Sequence, residues 1–147
     1  MAPWVSFASD AQSMAAKGVF LERSTHPRAY GNFARELGRY VRGEQDITLP
    51  EAIRKLSKLP ASNLKLQDCG ELAEGYFADI VVFGPSSVSD HASFSDPHQF
   101  STRMAYIIVN REVVICDGEH TGALPGQIVR GPGWRGWQQA GEPDTPP

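Results

Sequence analysis

At 147 residues the chain can form one ordinary domain, but it is well short of the roughly 250 residues of a complete parallel α/β barrel. Its 41% hydrophobic and 21% charged residues describe a globular protein, and a net charge of -3 leaves no basic footprint for nucleic acid. No apolar stretch approaches the ~20 residues that span a bilayer, and Met1-Ala2-Pro3-Trp4 lacks the cationic and long apolar regions of a secretory signal.

The first expected element is a strand over residues 4–8, where Trp4, Val5, Phe7 and Ala8 form an apolar run that leads straight into Ser9-Asp10. A strand with one carboxylate at its C-terminal tip is how parallel α/β barrels present a catalytic group. No earlier strand could pair with it, so the chain reads as the tail of a larger enzyme. A loop follows over residues 11–27. Residues 31–42 predict a helix, because Phe33, Leu37, Tyr40 and Val41 recur at i, i+4, i+7 and i+8, with Gly43 ending it. A second helix has Thr48 as N-cap, Pro50 in its first turn and Glu51 completing a capping box. Ala52, Ile53, Leu56 and Leu59 supply its apolar face, and Pro60 is expected to stop it, with a short helical turn over 61–64.

From Leu66 the period changes. Residues 79–83 predict a strand closed by Gly84-Pro85, and residues 106–109 and 113–116 predict a hairpin ended by Asp117-Gly118. Apolar residues in both phases predict strands covered on both faces. The turn Asn110-Arg111 departs from the Asn-Gly preference, so Arg111 must take a positive φ or the turn must be of another type. A long polar loop covers residues 85–103, and a Gly/Pro-rich tail with Trp134, Arg135 and Trp137 covers 131–147. Cys69 and Cys116 show neither metal nor redox spacing, which favours two reduced thiols and a cytoplasmic compartment.

Several blocks, in order, resemble the C-terminal part of the N-acyl-D-amino-acid deacylases of the amidohydrolase superfamily. They are Asp10 in Ser9-Asp10-Ala11, the run from His26-Pro27-Arg28 to Arg35, Leu37 to Arg42, Gly70 to Phe83, Asp96 to Phe100, Asp117 to Gly122 and Arg130 to Gly133. The resemblance implies the last strand and flanking helices of an incomplete metal-dependent (β/α)8 barrel, followed by the C-terminal part of a small β-sandwich. The segments would be a barrel part over 1–65, a β-sandwich module over 66–130 and a flexible tail over 131–147. It implies zinc in the complete enzyme, with the metal ligands, including a His-x-His pair, missing from this chain. His26, His91, His98 and His120 form no such pair.

The resemblance makes Asp10 the catalytic residue, adjacent to the metal. Amide hydrolysis needs a group that takes a proton from water and passes it to the leaving nitrogen. It makes Arg28 the substrate-binding residue, since a guanidinium fork can hold the free carboxylate of an N-acyl-D-amino acid through two parallel hydrogen bonds. Without the resemblance, Asp10 reads as a loop or helix cap and Arg28 as a surface arginine. His26 reads as a structural hydrogen-bonding partner, and His98 and His120 as packing or inter-segment contacts. The expected partners are a small-molecule N-acyl-D-amino acid and the missing N-terminal barrel portion, with no nucleic acid and no membrane. The isolated chain is expected to be inactive. Two alternatives remain: a non-catalytic remnant or β interaction module, and an amidohydrolase acting on a cyclic or other amide.

Overall fold

The computed structural model describes residues 2–12 and 14–134. The expected tail over 135–147, with Arg135 and Trp137, lies outside the described residues. Two long helices come first and an antiparallel meander follows, so the described residues contain no parallel strand pair. After a 3-10 turn at Gly18–Glu22, helix α1 starts as α-helix Arg28–Arg35 and widens into π-helical Glu36–Gly43. It begins before residue 31 because Pro27, with its φ already near helical, sits at the N-cap. Arg28, ahead of the helix expected over 31–42, is therefore its first residue.

Helix α2 runs through α-helical Leu49–Ile53, π-helical Arg54–Lys58 and α-helical Leu59–Asn63. The expected stop at Pro60 does not occur. In the widened turn the Leu59 N–H reaches back to Arg54 O, so the same spacing would pair residue 60 with Lys55 O. Proline has no N–H to give, and Lys55 O instead accepts the Phe7 N–H at 3.1 Å. The capping box is not formed either. Thr48 makes no side-chain cap bond, and Glu51 takes Arg54 Nε at 2.7 Å and Nη2 at 2.8 Å. That bond holds the Glu51 carboxyl below the usual carboxylate range and raises Arg54.

The strand expected over residues 4–8 is not formed. A strand needs a neighbour's backbone groups to bond to, and here the partner is the α2 helix. Lys55, fully buried, donates from Nζ to Ala2 O and Val5 O at 2.6 Å each, and Arg54 Nη2 donates to Pro3 O at 2.6 Å.

The sheet is a four-stranded meander, β1 (Ile80–Phe83), β2 (Met104–Val109), β3 (Glu112–Cys116) and β4 (Glu119–His120), in that order. Asn110 and Arg111 both adopt positive φ, 47° and 72°, which makes the β2–β3 connection a two-residue primed turn. The Asn110 N–H donates to Asp79 Oδ1 at 2.8 Å, which ties the turn to the chain just ahead of β1. Strand β4, not foreseen from the sequence, pairs with the end of β3 across Asp117-Gly118. Coverage on both faces is not observed: no strand residue is fully buried, and Val81, Val82, Tyr106 and Val113 are exposed.

The core lies between the helices and the loop after β1. Ala34, Leu37, Ile47, Ala52 and Val88 are buried, with Phe7, Tyr40, Leu56, Phe83 and Met104 packed against them. Phe33, placed on the core face by its spacing, is exposed, as is Ile53. The loop over 85–103 is strapped to α1. Arg35 holds Asp90 and Ala92 O, Arg42 holds Pro85 O and Val88 O, and an isolated bridge joins Ser89 to Thr102. This close approach requires Gly38, where an added Cβ would stand 2.9 Å from Val88 O.

Candidate active site

Asp10 ends the N-terminal segment, with φ at 47° in the left-handed region that aspartate tolerates better than most residues. Its Oδ2 lies 3.0 Å from Arg28 Nη2. The fold thus brings together the two residues singled out from the sequence as acid–base group and carboxylate clamp. Both are open to solvent, the Asp10 side chain at 88% and Arg28 at 42%. An exposed pair of this kind is worth about 0–1 kcal/mol, so it leaves both groups free to exchange partners.

Helix α1 supplies the rest of the site from one face. Arg28 and Asn32 stand at i and i+4, so they are neighbours on the helix surface, with Arg35 one turn further on. Asn32 Nδ2 donates to Ala8 O at 3.2 Å. Arg35 donates to Asp90 Oδ2 from Nε at 2.8 Å and Nη2 at 2.6 Å, and from Nη2 to Ala92 O at 3.0 Å. His26 Nδ1 accepts the Arg28 backbone N–H at 3.1 Å, and its ring packs edge-on to Phe94 at 5.0 Å. These side chains surround a shallow pocket of about 110 Å³ lined by His26, Arg28, Asn32, Arg35 and Phe94. The Arg28 guanidinium is ion-paired with Asp10, and its N–H donors can receive an anion.

The other histidines lie elsewhere. His98 packs on Tyr30 with ring centroids 5.7 Å apart, and His98 Nε2 and Tyr30 Oη are buried without a hydrogen-bond partner. His91 Nε2 bonds Thr102 Oγ1 at 2.9 Å, and His120 Nδ1, on β4, accepts the Gly122 N–H at 2.9 Å. Cys69 and Cys116 are free thiols. Among the described residues no group of three or more His, Cys, Asp or Glu could hold a metal ion, so these residues do not themselves fit a zinc centre. No helix among the described residues is long and apolar enough to cross a membrane.

Sequence reasoning missed Asn32, Arg35 and Asp90. Asn32 and Arg35 share a face with Arg28 only because α1 begins at Arg28, and the polar loop carrying Asp90 holds no local signal of where it docks.

The amidohydrolase family model matches residues 22–119. The chain belongs to the amidohydrolase family. Among curated relatives, this amidohydrolase chain is 36% identical over 137 residues to the N-acyl-D-aspartate deacylase of Alcaligenes xylosoxydans xylosoxydans, covering 92% of this chain and 27% of that protein. The D-aminoacylase of the same organism is 35% identical over 112 residues, covering 76% and 23%. A crystal structure of D-aminoacylase superposes with a TM-score of 0.70 at 35% identity, over 72% of this chain and 22% of that one. The N-acyl-D-glutamate deacylase of Bordetella bronchiseptica, complexed with zinc and a phosphonate mimic of the tetrahedral intermediate, superposes with a TM-score of 0.68 at 37% identity, over 73% and 22%. The amidohydrolase chain spans about a quarter of the length of the curated relatives it matches.

Proposed function

We propose that this chain is the C-terminal portion of a zinc-dependent amidohydrolase that hydrolyses N-acyl-D-amino acids to the D-amino acid and a carboxylate, and that it is inactive alone. The observation that carries this reading is the meeting of Asp10 with Arg28 at 3.0 Å, since it pairs the tip of the N-terminal segment with the first residue of α1, the two positions the resemblance assigns to catalysis and substrate binding. The relatives named N-acyl-D-aspartate deacylase, N-acyl-D-glutamate deacylase and D-aminoacylase support this substrate class. Zinc, present in the Bordetella bronchiseptica complex, would be held by residues outside these 147.

In this reading the chain supplies two functions. Asp10 takes a proton from the attacking water and returns it to the leaving nitrogen. Arg28 holds the substrate's α-carboxylate, which exchanges for or shares the contact with Asp10 and fixes which face of the stereocentre meets the acid–base group. Residues 1–65 belong to the barrel, with residues 4–10 pairing as its last strand once a neighbouring strand is supplied, and residues 66–130 belong to the β-sandwich. The exposed apolar residues Val81, Val82 and Val113 are where further protein would pack. The compartment in this reading is the cytoplasm.

The test is kinetic, on the enzyme completed by its barrel portion. Asp10→Asn lowers kcat by roughly 10²- to 10⁴-fold, the usual contribution of a positioned acid–base group. Arg28→Met raises KM for N-acyl-D-amino acids by about tenfold or more, as expected for losing a charge-assisted bond of roughly 1.5–3 kcal/mol. An Arg28→Met enzyme with unchanged KM and unchanged preference for carboxylate-bearing substrates removes the clamp, and turnover by the isolated 147-residue chain removes its inactivity.

A further inference from the structure

Two tethers run from helix α1 to the segment that carries Asp10. One is the Arg28–Asp10 pair itself, at 3.0 Å. The other is Asn32 Nδ2 donating to Ala8 O at 3.2 Å, two residues before the carboxylate. The first cannot set the geometry of the site. Both tethers are solvent-exposed, but the ion pair joins two mobile side chains and is worth about 0–1 kcal/mol, whereas the Asn32 bond ends on a backbone carbonyl. The ion pair must also open or be shared whenever Arg28 takes an anionic ligand. The backbone at Asp10 has a φ of 47°, a left-handed conformation that aspartate can enter and leave, so a tether beside it helps select that state.

Asn32 is placed to do this. It stands one helical turn after Arg28 on the same face. Its helix is fixed in turn by Arg35, which bonds Asp90 and Ala92 O in the strapped loop. We propose that Asn32 is a positioning residue, which ties the Asp10 segment to the helix carrying Arg28 and so sets the separation of acid–base carboxylate and guanidinium. The inference rests on the roles proposed above for those two residues. With the amide donor gone, Ala8 O turns to water and the Asp10 carboxylate loses its fixed distance from Arg28. A misplacement of about 1 Å can lower turnover by as much as 10²-fold.

The test uses Asn32→Ala, Asn32→Asp, which keeps the shape but removes the donor, and Asn32→Gln, which restores an amide on a longer arm. In the 147-residue chain, ¹⁵N relaxation of Ser9 and Asp10 reads the tether directly. The first two variants should lower the order parameters there while leaving the signals of Asp90 and Ala92 and the melting temperature in place, and Asn32→Gln should recover part of the loss. In the completed enzyme, Asn32→Ala, which adds no charge beside Arg28, should lower kcat by about tenfold or more with KM changed less than about threefold, the split expected when orientation is lost and binding is kept. Unchanged order parameters at Ser9 and Asp10 in Asn32→Asp would overturn the proposal, as would an Asn32→Ala kcat equal to that of the parent. A completed parent enzyme without deacylase activity would instead count against the functional reading, and the relaxation data would still decide whether Asn32 holds the segment.

Discussion

Replacing Lys55 with Met tests what holds the N-terminal segment. The Lys55 side chain is only 1% exposed, and its ammonium donates to Ala2 O and Val5 O at 2.6 Å each, with Glu51 Oε1 at 3.8 Å. Hydrogen bonds to a charged group contribute roughly 1.5–3 kcal/mol each. Against them stands the cost of taking the ammonium out of water, several kcal/mol for a buried ion. Methionine has nearly the same volume, so the change adds little cavity cost. Glu51 keeps Arg54 as its partner, so no buried charge is left unpaired, and the carbonyl of exposed Val5 can be rehydrated. The balance is a loss of about 1–2 kcal/mol. For a chain of this size that lowers Tm by roughly 2–8 °C. Urea unfolding followed by circular dichroism measures the loss. Hydrogen exchange at the Phe7 amide, which donates to Lys55 O through the backbone and survives the substitution, measures how far the segment loosens. A Lys55→Met chain as stable as its parent would refute the reasoning, since desolvation would then outweigh the ammonium's contacts.

Three further substitutions probe other sites. Arg111→Gly relieves a left-handed residue at φ 72°, a conformation costing roughly 1–2 kcal/mol without glycine, less about 0.5–1 kcal/mol of added backbone entropy, so a small rise in the urea midpoint is expected. Gly38→Ala pushes a Cβ to 2.9 Å from the carbonyl of buried Val88; overpacking of about 1–3 kcal/mol should exceed the gain in helix propensity, and the urea midpoint should fall. Burial raises the Glu36 carboxyl, so the folded chain binds its proton more readily than the unfolded one, and this residue's contribution to stability falls as pH rises through that range. Glu36→Gln should therefore raise Tm at pH 7, and the gain should vanish in melts below the usual carboxylate range.

The helices, the hairpin and its strained turn were legible because each rests on local chemistry. Leu37, Tyr40 and Val41 mark the core side of α1, Pro50 opens α2, and two β-branched runs flank Asn110-Arg111. The misreadings came from competition between partners. Thr48 and Glu51 have capping-box spacing, but Arg54, one turn on, is the better partner for the carboxylate. Pro60 ends an ordinary helix, yet a π turn places its missing donor opposite a carbonyl that Phe7 can use. Lys55 is buried because it stands three residues after buried Ala52 on the same face of α2, while Ile53 lies about 100° round the helix and is exposed. In the site, Asp10 and Arg28 could be named from their blocks. Their tethers could not, because Ala8 O is backbone and Asp90 sits in a loop whose docking is decided by Gly38, Arg35 and Arg42 together.

The two halves of the chain differ in how they are held, and this separates the site from the sheet. Among the described residues, Phe83 and Met104 join the meander to the core, at the end nearest the strapped loop, while Val81, Val82, Tyr106 and Val113 stay exposed. Asp10 is joined to α1 by Arg28 and Asn32 and to α2 through Phe7 and Lys55, and α1 is held by Arg35 and Arg42 on the loop over 85–103 and by core packing that includes Phe83 and Met104. The exposed sheet residues can therefore change, or gain a covering partner, without moving the Asp10–Arg28 pair. A change at Asp90 acts closer to that pair, because it removes the carboxylate partner of Arg35 on the helix from which the guanidinium projects.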